Sequence, residues 1–199
     1  THVVGLYAPR LGCAPSRSHE DAVFVSQLAE SLRGRGYQLQ LIGELCRHTT
    51  IKTLDAIVTL DVDRETFRQI GFNCFYPLIC VDGLVDDPFL FYQVNNNFGR
   101  AAEQAGRHGG RTALVFEAYA EPRLNARAGA GFDAAFAWPG GSSLEGFAAA
   151  QPEGTVFVAQ GALLAERLRR MTSAAVLSMC PQGDIEVNAR LKARTTADL

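Results

Sequence analysis

No apolar run in this 199-residue chain reaches the roughly 18 positions that a membrane-crossing helix needs. The opening Thr1-His2-Val3-Val4-Gly5 has neither the charged start nor the apolar stretch of a secretion signal. Neither membrane insertion nor export is expected from these residues, and a cytoplasmic location is. Paired cysteines are missing as well. The five cysteines, at 13, 46, 74, 80 and 180, make no C-x-x-C pair, and an odd number fits poorly with a disulfide framework. The four histidines, at 2, 19, 48 and 108, are scattered, so no metal site is expected. An excess of positive charge is also lacking: 19 basic residues face 21 acidic ones, a net charge of -2, which leaves no electrostatic footprint for nucleic acid on this segment.

The common catalytic and nucleotide motifs are absent too. There is no G-x-S-x-G, no P-loop and no H-E-x-x-H. Gly129-Ala130-Gly131 begins a G-x-G-x-x-G pattern, but position 134 is Ala and no expected strand precedes it. No cofactor is therefore expected, and the chain is read as a non-enzyme.

What is present is apolar residues in short, evenly spaced runs, and 47% hydrophobic content is ample for a buried core. Residues 1–8, 38–42, 56–60 and 78–81 read as strands. Helices are expected over 19–33, where Phe24, Leu28 and Leu32 recur until Gly34 and Gly36, and over 65–70. The same grammar restarts with strands at 112–116, 155–159 and 174–178 and helices near 127–136 and 163–170. Continuous apolar strands separated by helices are what parallel sheets covered on both faces require. The fold class is α/β, with two Rossmann-like lobes and parallel sheets. Gly109-Gly110 is the expected lobe boundary.

Ligands of such sheets bind beyond the carboxyl ends of the strands, because loops and helix N-termini converge there. Those ends are Pro9-Arg10, Asp61, Asp82, Glu117-Ala118-Tyr119, Gln160-Gly161 and Met179-Cys180. The run Asn95-Asn96-Asn97 lies between a strand ending at Val94 and the next helix. One asparagine is accounted for as an N-cap; the others suit either a solvated turn or a polar ligand.

Several segments, taken in order, resemble the core of lactose-repressor-type (LacI/GalR) transcriptional regulators: "GLYAPRLG", "GRGYQLQLIGE", "LDAIVTLD", "YPLICVDG", "VNNNFGRAAEQAGRHGGRTALVF", "RAGAGFDAAF", "GTVFVAQGALLAERLRRM" and "ARTTADL". The resemblance implies a periplasmic-binding-protein-like fold with a cleft between the lobes. It also implies a homodimer, a small polar effector (a sugar or related metabolite), and DNA contact through an N-terminal helix-turn-helix preceding Thr1. It places residues 1–110 in the N-terminal lobe, 111–194 in the C-terminal lobe and 195–199 in a crossover back, with the helix after the Asn run in the first lobe. The family continues beyond that point, and the stretch from Glu44 to Asp55 barely leaves room for its second helix.

The resemblance also selects site residues. Effector contacts are implied for the loop after the first strand, here Arg10 to Arg17 with Ser16, although Glu20 and Asp21 stand where the family often has aromatics. An Arg is implied shortly before the Gly131-Phe132 pair; Arg127 is the candidate and Arg123 the alternate. Trp138 lies near a ligand-stacking position, with a core role as the alternative. Asp61, Asn97, Gln160 and Cys180 complete the set as strand-end or junction residues. Gln160-Gly161 and the stretch Ser178 to Pro181 replace acidic groups that hold sugar hydroxyls in the family, which argues against an ordinary monosaccharide. Two rival readings follow: an extracytoplasmic solute-binding protein of the same fold, and a small α/β enzyme with Cys180 as nucleophile.

Overall fold

The continuous apolar runs become the inner strands of two parallel sheets. The computed structural model describes residues 2–13, 18–43, 54–73, 76–86, 91–138, 143–179 and 189–199. The first sheet holds β1 (His2–Tyr7), β2 (Tyr37–Leu41), β3 (Ala56–Leu60), β4 (Leu78–Val81) and β5 (Phe91–Val94) in the order β2-β1-β3-β4-β5. The second holds β6 (Thr112–Glu117), β7 (Ala134–Trp138), β8 (Val156–Gln160) and β9 (Val176–Met179) in the order β7-β6-β8-β9. All seven described pairings are parallel. β4, β6 and β8 are buried at every position, whereas three of the four edge strands, β2, β5 and β7, are buried at one position or none. That contrast is the reason the central strands read as unbroken apolar runs and these three edges do not.

Helices cover both faces of each sheet. In the first lobe, Val4, Leu6, Val58, Leu60, Ile79 and Val81 meet Phe24, Leu28 and Leu32 of α1 (Ser18–Arg33) and Ala193 of α7 (Ala189–Asp198). The alternate residues Ile57, Leu78 and Cys80 meet Phe67 and Ile70 of α2 (Arg64–Asn73) on the other face. α1 forms because its three apolar residues fall four apart on one face and each contributes about 1.5–3 kcal/mol on burial. Glu20 and Asp21 in its first turn and Arg33 in its last complement the helix dipole. Gly36, at φ +83°, ends the turn that follows.

In the second lobe, Leu114, Phe116, Val156 and Val158 face α3 (Phe98–Gly106) and α4 (Pro122–Gly129). Ala113, Val115, Phe157 and Ala159 face α5 (Leu144–Ala149) and α6 (Ala162–Met171).

Two expected boundaries are corrected. Helix α3 belongs by packing to the second lobe, not the first: Phe98, Ala101 and Ala105 are buried on β6 and β8. The chain crosses at residues 95–97. Gly109-Gly110 is instead a turn inside the second lobe; Gly110 sits at φ +88°, and a Cβ there would lie 2.4 Å from the Gly154 carbonyl. The return crossing also comes earlier than residue 195. From Ala189 the chain is already α7, which lies along α1 with Ala193 fully buried. Small alanines let the two helices approach closely, a tertiary fit that residue spacing does not reveal.

The helix expected over 127–136 is α4 followed by β7. Glu121 caps α4 and Pro122 takes its first turn, while Ala134-Ala135, which favour helix in isolation, pair with β6. Helix α5, capped by Ser143, is not among the helices expected from the sequence.

Candidate functional site

In each sheet the strand order reverses once, between β1 and β3 in the first and between β6 and β8 in the second. Loops at such a switch point diverge to opposite faces and leave a crevice at the carboxyl ends. The two crevices face one another. Arg10, beyond β1, pairs with Asp61, beyond β3, at 3.2 Å. The Arg10 Nη2 also donates to the Ala118 carbonyl of the second lobe at 3.2 Å, and the Ala120 N–H donates to Asp61 Oδ1 at 2.8 Å. Ala118 is held in turn by its N–H donating to the Trp138 carbonyl at 2.7 Å.

The first lobe's acids are set by backbone geometry. Among the described residues, Asp61 and Asp82 are the non-glycine residues with positive φ, 52° and 53°, and each directly follows a strand. Their N–H groups extend the ladder to the next strand, Asp61 to the Val81 carbonyl at 3.0 Å and Asp82 to the Val94 carbonyl at 3.1 Å. The left-handed turn costs about 1 kcal/mol or more for a residue with a Cβ, and aspartate is among the side chains that tolerate it. Both carboxylates are buried and both are paired, Asp82 with Lys192 of α7 at 2.5 Å.

The three asparagines do three different things. Asn95 trades two hydrogen bonds with the Gly83 backbone, at 3.1 and 2.8 Å, and so fixes the end of β5 to the loop after β4. Asn96 donates to the Tyr119 hydroxyl at 3.1 Å. Asn97 accepts from the Arg100 N–H at 3.0 Å as the N-cap of α3. The asparagine that caps the helix is thus Asn97, the one named as an effector contact, while Asn96 is the amide of the run that reaches the second lobe's Tyr119.

Tyr119 organises the second lobe's crevice. It is buried, stacks on Phe116 at 6.2 Å, and its hydroxyl also accepts from Gln160 Nε2 at 2.7 Å. Asn125 of α4 holds the Tyr119 backbone from both sides, at 2.8 and 3.1 Å. Gln160 is 1% exposed, and its Oε1 has no protein hydrogen bond among the described residues. An acceptor in that condition costs about 1–3 kcal/mol unless something donates to it. Gly161, at φ 87°, opens α6 with no side-chain cap.

Of the expected site residues, Arg10, Asp61 and Gln160 lie at the facing switch points. Trp138 ends β7 at the outer edge, where Arg167 of α6 covers its ring at 5.4 Å and Phe136 lies 6.4 Å away. Arg127 is exposed in the last turn of α4, and the neighbouring Ala128 takes the buried face. It is not brought together with the others. Its alternate, Arg123, reaches the first lobe, donating to Asp86 at 2.9 Å and to the Leu84 carbonyl at 2.8 Å. Ser16, Arg17 and Cys180 lie outside the described residues.

Tyr119 and Asn96 are named from the sequence only as a strand end and as part of the asparagine run, and Asn125, Glu121 and Asp86 are not singled out from it at all. The one available signal was Glu121-Pro122, a cap followed by a first-turn proline, which marks a helix start at a strand end.

Among the described residues no group of three or more His, Cys, Asp or Glu could hold a metal, and no helix is long and apolar enough to cross a membrane. Cys80 is buried, and burial pushes its thiol up to about 12, so it is not a thiolate near neutral pH.

Two stacked parallel α/β lobes with facing strand ends define a periplasmic-binding-protein-like core. No family model matches the chain, and no curated protein matches it by sequence. Solved structures do match. A LacI transcriptional regulator from Lactobacillus brevis superposes with a TM-score of 0.66 at 13% identity, covering 98% of this chain and 91% of that one. The lac repressor bound to ONPG in its repressed state gives 0.65 at 11% identity over 99% of this chain and 74% of that one. A LacI family regulator from Arthrobacter sp. FB24, in complex with lactose, gives 0.59 at 16% identity, covering 99% and 87%. The chain therefore has the fold of LacI-type regulator cores.

Proposed function

We propose that this chain is the effector-sensing core of a LacI-type transcriptional regulator, acting as a homodimer in the cytoplasm. A small polar metabolite bound between the lobes shifts the balance of lobe arrangements, and DNA is contacted through a helix-turn-helix outside these 199 residues. The observation that carries the reading is the facing of the two switch points, with Arg10 and Asp61 on one side and Tyr119 and Gln160 on the other. Solved relatives in fold that carry lactose or ONPG support a sugar-like ligand class.

The chemistry of the crevice narrows that class. Gln160 Oε1 is an acceptor in need of a donor, and Asp61 and Arg10 can exchange their bonds across the cleft for bonds to a ligand. Hydroxyl-rich or amine-bearing molecules fit. An effector changes the lobe equilibrium only by the difference of its affinities for the two arrangements.

A thermal-shift screen of the purified chain against sugars, polyols and amino compounds tests the proposal. A stabilising compound whose effect disappears in Gln160→Ala, while the variant's own melting point stays close to the parent's, supports it. Stabilisation that survives both Gln160→Ala and Asp61→Asn places the ligand elsewhere and removes the cleft as the sensing site.

A further inference from the structure

Beside the crevice, one carboxylate serves two helices from different lobes. Glu121 is the N-cap of α4, accepting the Arg123 N–H through Oε1 at 3.2 Å. Its Oε2 accepts the N–H of Arg64, the first residue of α2 in the other lobe, at 2.9 Å. N–H groups in the first turn of a helix have no acceptor within the helix, and both helix dipoles point positive ends at this anion. The Arg123 side chain then locks the arrangement from outside. Its Nε donates to Glu121 Oε1 at 2.9 Å, its Nη1 to Asp86 at 2.9 Å and its Nη2 to the Leu84 carbonyl at 2.8 Å. Asp86 takes an arginine from each lobe, Arg123 on one oxygen and Arg64 on the other at 3.2 Å.

We propose that Glu121 and Arg123 form a built-in latch that closes the two lobes through protein groups alone, so that a cleft ligand enters by way of an opened form. The bonds that define closure run from α4 to α2 and the loop after β4, and every donor and acceptor in them belongs to the chain. Glu121 is buried, whereas Arg123 and Asp86 are 40% and 60% exposed at their side chains. The outer pair therefore breaks easily in water, and the shared carboxylate carries most of the closure. The apparent affinity of a ligand that binds the opened form is then its intrinsic affinity multiplied by the fraction of molecules open, which gives weakening of the latch a readable consequence. The inference stands on these contacts and does not depend on the regulator reading or on the effector's identity.

Amide hydrogen exchange of the purified 199-residue chain tests it, because two amides report closure and nothing else. The Arg64 N–H lies in the first turn of α2 and bonds Glu121; the Ala120 N–H lies in a loop and bonds Asp61 of the other lobe. Both are expected to be protected in the parent. Glu121→Gln should speed their exchange by about tenfold and Asp86→Asn by about threefold, with the core amides of Leu114 and Val158 unchanged, as in local opening. Asp86→Asn keeps the cap of α4, so it decides the matter if Glu121→Gln fails to fold. Unprotected Arg64 and Ala120 amides in the parent, or unchanged rates in a folded Asp86→Asn, overturn the latch.

Discussion

Arg10 and Asp61, 3.2 Å apart across the switch point of the first sheet, each also bond the backbone of the second lobe, at Ala118 and Ala120. One buried carboxylate thus holds a cation of its own lobe and an N–H of the other. Removing its charge is expected to be felt in both stability and lobe geometry.

Asp61→Asn keeps an acceptor and a residue that tolerates positive φ, so it should cost about 1 kcal/mol. Asp61→Leu leaves Arg10 without its buried partner and strains the turn, and should cost about 3 kcal/mol. Urea unfolding of both variants checks the ordering; equal costs would mean that the ion pair contributes nothing beyond shape.

Asn97→Ala removes the cap of α3 and should lower stability by about 1 kcal/mol while leaving any ligand-induced thermal shift intact. Asn96→Ala, which loses its bond to the Tyr119 hydroxyl, is expected to weaken that shift. The reverse pattern would assign the ligand contact to Asn97.

Gly110→Ala puts a Cβ 2.4 Å from the Gly154 carbonyl at a backbone angle that disfavours it, and a loss of about 2 kcal/mol or more is expected. Arg127→Ala, at an exposed position, should change stability by less than about 0.5 kcal/mol. Its effect on a ligand-induced shift decides whether Arg127 belongs to the site at all.

Acid should open the lobes. Burial works to raise the Glu121 carboxyl, but hydrogen bonds from Arg123 and the Arg64 N–H outweigh it and hold it below its ordinary 4.5. The Arg123 hydrogen bond holds Asp86 below its ordinary 3.8. Groups depressed on folding stabilise fully above their unfolded values, and that stability is lost as pH falls through the folded ones. Exchange at the Arg64 amide, corrected for its intrinsic pH dependence, should therefore accelerate as pH drops below about 4.5, the ordinary glutamate range. A flat corrected rate would show that neither carboxylate governs closure.

Much of the fold could be read from residue order. Phe24, Leu28 and Leu32 announce α1, and the unbroken run Leu78-Ile79-Cys80-Val81 announces a strand buried on both faces. The strand ends Arg10, Asp61 and Gln160 were legible for the same reason, since local periodicity says where a strand stops. Arg123 is not marked by local pattern. Arg127 and Arg123 sit one helical turn apart on α4, and only the position of the first lobe decides that Arg123 has something to reach.

The sequence by itself determined the alternation of strands and helices, the two-sheet grammar and a cap somewhere in the run Asn95 to Asn97, because these depend on periodicity, turn chemistry and hydrogen bonds within a few residues. Only the tertiary structure decided that α3 crosses to the second sheet, that α7 returns to α1, and that Glu121 caps helices of both lobes. Those outcomes rest on which apolar faces bury one another and on contacts between residues dozens of positions apart, which no local pattern encodes.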